Sequence, residues 1–331
     1  MKKFNLSVLD LVPIEAGSSS REALARMIEL ARLAEELGYV RYWLAEHHGM
    51  PNIASSSPEI LIARVAAATE RIRVGAGGIM LPNHAPLRIA EAFHTLEALF
   101  PGRIDLGVGR APGTDPVTSA ALRPFDAAQF PSQLKELLAL SRREFPPGHP
   151  FHGVRVVPSD VDLPPVWVLG SSGATASLAG SLGLGYGFAS HFSFTPPGPA
   201  IDAYRKAFRP STRFPEPHVI VGAAVICAPT DEEADYLAKA MDVTWVRLRK
   251  GELDRLPTPE EAARYQFTAE ELEIVRQYRS LTIWGSPATV ARRIERLAEE
   301  TGANEIMVSS MVPGRDARLR SYRLVMESFS G

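Results

Sequence analysis

The sequence predicts an α/β protein built on a parallel sheet, on three observations. Apolar runs of strand length alternate with segments of helical periodicity along most of the chain, the pattern of a parallel sheet with helices outside it. The 331 residues, 45% of them hydrophobic, supply a large core without calling for a second domain. No internal repeat or low-complexity tract breaks the alternation, and no G-x-G-x-x-G pattern marks a dinucleotide domain, since Gly107, Gly109 and Gly113 have the wrong spacing.

Residues 4–11 read as the first strand. Residues 18–20 supply an N-cap for a helix over 21–37 that Gly38 closes. Within it Leu24, Met27, Ile28, Ala31 and Ala34 recur at helical spacing and can cover one side of a sheet. The second strand starts at Val40 as an apolar, aromatic run and ends in Glu46, His47 and His48 before Gly49 and Pro51 stop it. A helix follows over 58–70, with Pro58 in its first turn. Residues 72–81, carrying Gly75, Gly77 and Gly78, form the third strand, 86–99 the third helix and 102–108 the fourth strand. The rhythm then loosens over 112–164, with a helix expected at 126–143 and a loop at 146–164. It resumes with strands at 165–170 and 185–190 and helices at 172–182 and 199–208. Residues 218–228 are the seventh strand, and 231–247 its helix. A second irregular, charged stretch with helical pieces covers 250–280, and 282–287 leads into a helix reaching 301. Residues 304–310 are the last strand and 317–329 the closing helix. Eight strands make a (β/α)8 TIM barrel, one domain over residues 1–331, with insertions after strands 4 and 7 at about 112–164 and 250–280. Both insertions are long enough to act as lids.

A net charge of −2 gives no electrostatic case for nucleic acid or an anionic membrane as partner. The single cysteine, Cys227, excludes an internal disulfide framework and reads as a small buried hydrophobe. No apolar stretch at the N-terminus has the length of a signal peptide or membrane span, so a cytoplasmic protein is expected.

Ionisable groups at the carboxyl end of a buried strand usually line a site, which singles out residues 46–48. Alternation along a strand puts Glu46 and His48 on one face and His47 on the other, so the adjacent histidines do not easily grip one metal ion. A metal-dependent hydrolase using Glu46, His47, Asp10 and Asp105 is a rival reading, without the helical H-E-x-x-H spacing that would support it. No metal is expected. The run Ala63, Ala66, Ala67 and Ala68 permits close helix packing, within the chain or against another copy.

Three segments together resemble the bacterial luciferase-like flavin monooxygenases: residues 45–48, residues 75–82 with His84 and Pro86, and residues 102–110. Within that family the chain looks closest to a single-chain branch sharing residues 110–115. The resemblance implies reduced FMN at the carboxyl end of the barrel, its phosphate on Arg110 and on Ser171, Ser172 and Thr175 at the start of the following helix. Hydroxyl residues opening a helix are also ordinary N-caps. The resemblance implies a non-prolyl cis peptide between Gly77 and Gly78 beneath the flavin, and close approach of a flat ring would explain glycines in mid-strand. It makes His47 a proton donor or acceptor and Glu46 a group that orients this imidazole or meets the ring, with His48 structural. Asp10 and Ser309 are placed at strand ends as pocket lining, and Arg123 as a second phosphate contact or an ordinary surface residue. Ser190-His191-Phe192 stands where the family carries an aromatic residue, which leaves the substrate side open. The implied reaction has reduced FMN, supplied by a separate NAD(P)H:flavin reductase, react with dioxygen to oxygenate a small organic substrate such as an aldehyde, without light. A homodimer is implied. Deazaflavin-dependent hydride transfer and flavin binding without turnover are the alternatives.

Overall fold

The computed structural model describes residues 4–329; Met1 to Lys3, which the sequence runs directly into the first strand, lie outside the described residues. The first half of the chain runs β1 (Asn5–Asp10), α1 (Ser20–Leu37), β2 (Arg41–Leu44), α2 (Pro58–Ala66), β3 (Arg73–Met80), α3 (Pro86–Leu99) and β4 (Ile104–Gly109). Next come α4 (Pro116–Leu122), α5 (Phe130–Arg142), β5 (Val166–Gly170), α6 (Gly173–Ser181), β6 (Gly185–Ala189), α7 (Pro197–Ala207) and β7 (Val219–Cys227). The last part holds α8 (Asp231–Lys250), α9 (Pro259–Arg264), α10 (Ala269–Ser280), β8 (Thr282–Gly285), α11 (Pro287–Thr301), β9 (Glu305–Ser309) and α12 (Arg315–Glu327).

All pairings between these strands are parallel. Strands β1 to β7 and β9 close on themselves, because β9 pairs with both β1 and β7 while β6 pairs with β7. The result is the expected (β/α)8 barrel. The sequence reading missed β8, which lies outside the ring and, among the described residues, pairs only with Ala224 to Cys227 at the end of β7. It missed α4 as well, although Asp115 caps that helix by accepting from the backbone N–H of Val117 and Thr118. Helix α1 is held as anticipated, by a capping box between Ser19 and Glu22 and by Gly38 at φ +85°.

The barrel interior is charged at its amino end and apolar above. Arg41 Nη1 donates to Asp105 Oδ2 at 2.7 Å and its Nε to Glu305 Oε2 at 3.0 Å, while Arg73 Nη2 reaches Asp105 Oδ1 at 2.7 Å. Both carboxylates are fully buried. Burial alone would raise their pKa, but the charge of Arg41, with Arg73 on Asp105, outweighs it and holds both below the usual range. Above this layer Leu9, Trp43, Trp167, Ile220 and Met307 pack together, the two indoles edge-to-face at 5.6 Å. A cavity of about 360 Å³ opens at this amino end between Arg41, Arg73, Trp167, Arg213, His218 and Asn304, but two of its cations are already paired with Asp105 and Glu305. Cys227 is buried, and burial pushes its thiol up to about 12. Among the described residues no helix is long and apolar enough to cross a membrane.

Replacing Arg41 by Met removes the counter-charge from two buried carboxylates. The expected loss is about 3–5 kcal/mol, read as a lower urea midpoint. Arg276→Ala, which breaks an exposed pair with Glu273, should leave that midpoint in place.

Candidate functional site

The carboxyl ends of the strands gather the candidate residues, and Glu46 is their centre. Strand β2 stops at Leu44, so residues 45–48 leave the sheet and strand alternation does not govern them. Glu46 and His48 nonetheless meet, through the loop: His48 Nε2 lies 2.9 Å from Glu46 Oε1. His84 Nε2 reaches the same oxygen at 2.8 Å, and the Met80 backbone N–H donates to Oε2 at 2.9 Å. The buried carboxylate therefore has three donors. Burial works to raise its pKa, but these hydrogen bonds and the charge of His84 hold it down at about 2. For His84 burial works downward, and the Glu46 carboxylate overrides it to raise the imidazole.

Of the two roles expected for Glu46, orienting His47 or meeting the ring, this geometry does not support the first. Among the described residues the two share no hydrogen bond. Instead His47 Nδ1 lies 3.2 Å from the carbonyl oxygen of Gly113. A carbonyl only accepts, so this contact places the proton on Nδ1 and leaves Nε2 with its lone pair. Burial lowers the His47 pKa, opposed by the Gly113 contact and the charge of Glu46. His47 is accordingly a neutral imidazole at neutral pH with a free basic nitrogen. The same loop is fixed by His48 N–H on Gly113 O at 3.1 Å and by Thr114 Oγ1 on His48 O at 2.6 Å.

The donors for an anion sit on neighbouring strands. Arg110 directly follows β4, is exposed, and has no partner among the described residues. Strand β5 pairs with β4 and is followed by Ser171, Ser172 and α6, whose N-cap Ser172 makes no side-chain cap hydrogen bond. The hydroxyls of Ser172 and Thr175 lie 3.0 Å apart. An unpartnered guanidinium beside an uncapped helix start is the donor set that a phosphate monoester requires, so the residues present fit the phosphate of FMN.

The peptide between Gly77 and Gly78 is cis, as expected. The chain itself supplies a reason for the glycines, alongside the expected flat ring. A Cβ at Gly77 would come within 2.7 Å of Leu9 Cδ1, and one at Gly78 within 2.6 Å of Leu169 Cδ1 and 2.7 Å of Gly107 O. The chain itself occupies the space.

Other strand-end residues are brought elsewhere. Asp10 is not pocket lining: its Oδ1 accepts from Arg318 at 2.6 Å and from the Val12 backbone at 2.7 Å, and Tyr42 OH donates to its other oxygen. Val12 is held there at φ +55°, an unusual backbone for a β-branched residue. Asp105 lies among the amino-end ion pairs, so the four residues of the hydrolase reading do not converge. Arg123 donates to the carbonyl of His84 at 3.0 Å rather than standing free. Ser309, ending β9, is buried with no side-chain hydrogen bond among the described residues. Sequence reasoning quoted His84 in a motif without giving it a role. Only the fold joins it to Glu46, 38 positions away.

A family model described as luciferase-like monooxygenase matches residues 4–305. The chain is 44% identical over 329 residues to a protein of Escherichia coli (strain K12) named luciferase-like monooxygenase, covering 98% of this chain and 97% of that one. It is 33% identical over 332 residues to the N-acetyl-S-alkylcysteine monooxygenase of Bacillus subtilis (strain 168), covering 98% and 97%. The solved structure of apo-MsnO8 matches with a TM-score of 0.84 at 38% identity over 98% of both chains.

Because the Glu46 pKa is depressed in the folded chain, its stabilising contribution is complete above the unfolded value of about 4.3 and lost as pH falls toward about 2. Glu46→Gln removes that term. Thermal midpoints measured from pH 7 to pH 3 should fall more steeply for the wild type than for the variant, with the variant the less stable at pH 7.

Proposed function

The chain belongs to the luciferase-like monooxygenase family and is a flavin-dependent monooxygenase, and from that premise we propose that it oxygenates a small organic substrate using dioxygen and reduced FMN delivered by a separate NAD(P)H:flavin reductase. The observation that carries the binding of a phosphate-bearing cofactor is Arg110, without a partner among the described residues, next to the uncapped start of α6 on the adjacent strand, at the barrel end that also holds His47. Arg110 takes the phosphate bidentately, with Ser171, Ser172, Thr175 and the first N–H groups of α6 completing its shell. When bound, the reduced flavin supplies the electrons that activate dioxygen.

The rest of the chemistry belongs to the chain. His47, its proton held on Nδ1 by Gly113, accepts a proton at Nε2 and returns it. Glu46 is a positioning group, holding His48, His84 and the end of β3 as the wall around that imidazole. Gly77 and Gly78 act through barrel packing against Leu9 and Leu169. The substrate is an aldehyde or a thioether; the second is suggested by the Bacillus subtilis relative, which is named for an N-acetyl-S-alkylcysteine. A homodimer through α2 agrees with Ile60 being 65% exposed on that helix.

Hydride transfer with a deazaflavin is the second reading, since its phosphate would suit the same donors. The monooxygenase names of the relatives favour FMN over it.

Anaerobic titration with reduced FMN and with reduced deazaflavin separates the two. Reduced FMN should bind the tighter, with Arg110→Ala weakening it about ten- to a hundredfold. Stronger binding of the deazaflavin, without dioxygen uptake on admitting air, would put the second reading in place of the first. His47→Ala should keep its FMN affinity and lose about 10²- to 10⁴-fold in turnover. The wild-type acid limb of kcat/KM should lie below pH 6.5, the ordinary histidine value, because burial lowers His47.

A further inference from the structure

His191 lies two residues beyond β6, at the same end of the barrel as His47, with its ring edge-on to Phe192 at 4.7 Å. Its Nδ1 is buried and has no hydrogen-bond partner among the described residues. Nε2 has none there either, and it is the ring's open end. Strand β7 makes the seat. Ala189 pairs with Gly222, and a Cβ at Gly222 would come within 2.7 Å of His191 Nδ1 and 3.1 Å of Cε1. Any larger residue at 222 must push the imidazole away.

Burial pushes His191 down to about 4, against a backbone contact from Gly222 that raises it, and nearby His47 adds a smaller downward push. The ring is therefore uncharged at neutral pH. Whichever nitrogen carries the single ring proton, Nε2 is the nitrogen left to meet a bound molecule. Beside it Phe192 is 52% exposed, while Phe194, 58% exposed, turns its ring edge to Tyr278 at 5.5 Å.

We propose that His191, seated by Gly222, is a specificity-determining residue: its uncharged Nε2 shares a hydrogen bond with an uncharged polar head group of the substrate, whose apolar body lies along Phe192. This rests on the reading of the barrel mouth as the oxygenation site. A carboxylate placed there gains no counter-charge for the water it sheds, so the contact selects neutral head groups.

Calorimetric titration with octanamide and with octanoate, equal in length and different in charge, tests it on protein with and without reduced FMN. The wild type should bind octanamide at least tenfold more tightly. His191→Phe should weaken octanamide about three- to tenfold and shrink the preference, the effect of losing one neutral hydrogen bond. Gly222→Ala should do the same by displacing the ring, yet have no further effect in a His191→Ala background, where nothing remains to displace. Failure to bind octanamide, equal affinity for octanoate, or a preference unchanged in His191→Phe would each overturn the proposal. Reduced FMN is titrated into the same preparations. If FMN binds every variant and the preference is absent, the His191 contact alone fails. If FMN does not bind the wild type while a His191-dependent preference persists, the flavin reading fails and the contact stands.

Discussion

The carboxyl end of the barrel depends on the buried charge of Glu46. A carboxylate without solvent must be surrounded by donors, and here they come from three places: His48 on its own loop, His84, and the backbone at the end of β3. Satisfying one charge thereby fixes three segments against each other. A fourth follows, since His48 holds the Gly113 and Thr114 turn through its N–H and its carbonyl. Gly113 packs so closely there, at φ +70°, that a Cβ would come within 2.8 Å of the Glu46 carbonyl oxygen. The turn that orients His47 is in this way built on the residue next to it.

The opposite end also buries carboxylates, but with different partners. Asp105 and Glu305 are held chiefly by guanidinium groups, which keep their charge at any pH the fold survives, with Ser7 and, at 3.7 Å, His218 also against Glu305. Glu46 is held by imidazoles and one amide, and imidazoles exchange protons near neutrality. The amino end can therefore carry load through a catalytic cycle without changing state. The carboxyl end is where protons can move, and the indoles of Trp43 and Trp167 fill the interior between the two.

What could be read in advance follows from range along the chain. The alternation of apolar runs and helical segments is local, and it was enough for the barrel. The helices within 250–280 were readable more fully than they were read: Thr258 with Glu261 and Thr268 with Glu271 form capping boxes, a spacing visible in the chain. Asp115 before Pro116 announced α4 in the same way. Strand β8 was not read, because its four residues run with two more residues into α11, and the strand it pairs with, the buried end of β7, is found only by the fold. The site divides likewise. Residues 46–48 stood out by type and position, whereas the link from Glu46 to His84, and Leu9 against Gly77, join residues that no periodicity relates. Extending strand alternation past Leu44 reached a true pairing of Glu46 with His48 for a wrong reason, as a loop brings them together.

The separation of Glu46 from His47 has a consequence for proton transfer. A carboxylate hydrogen-bonded to an imidazole stabilises the imidazolium and raises its pKa, as Glu46 does for His84. Had Glu46 bonded His47 instead, that ring would be held toward its cation, and a cation has no lone pair to accept a proton. Directing the carboxylate to His48 and His84, and giving His47 only a neutral carbonyl, leaves burial free to lower it. His191 is kept neutral by the same means, with no acid against it. The histidines at this mouth thus fall into two kinds, those that stabilise the charge of Glu46 and those that burial keeps uncharged, and only the second kind can exchange a proton or a neutral hydrogen bond with a bound molecule without first breaking an ion pair.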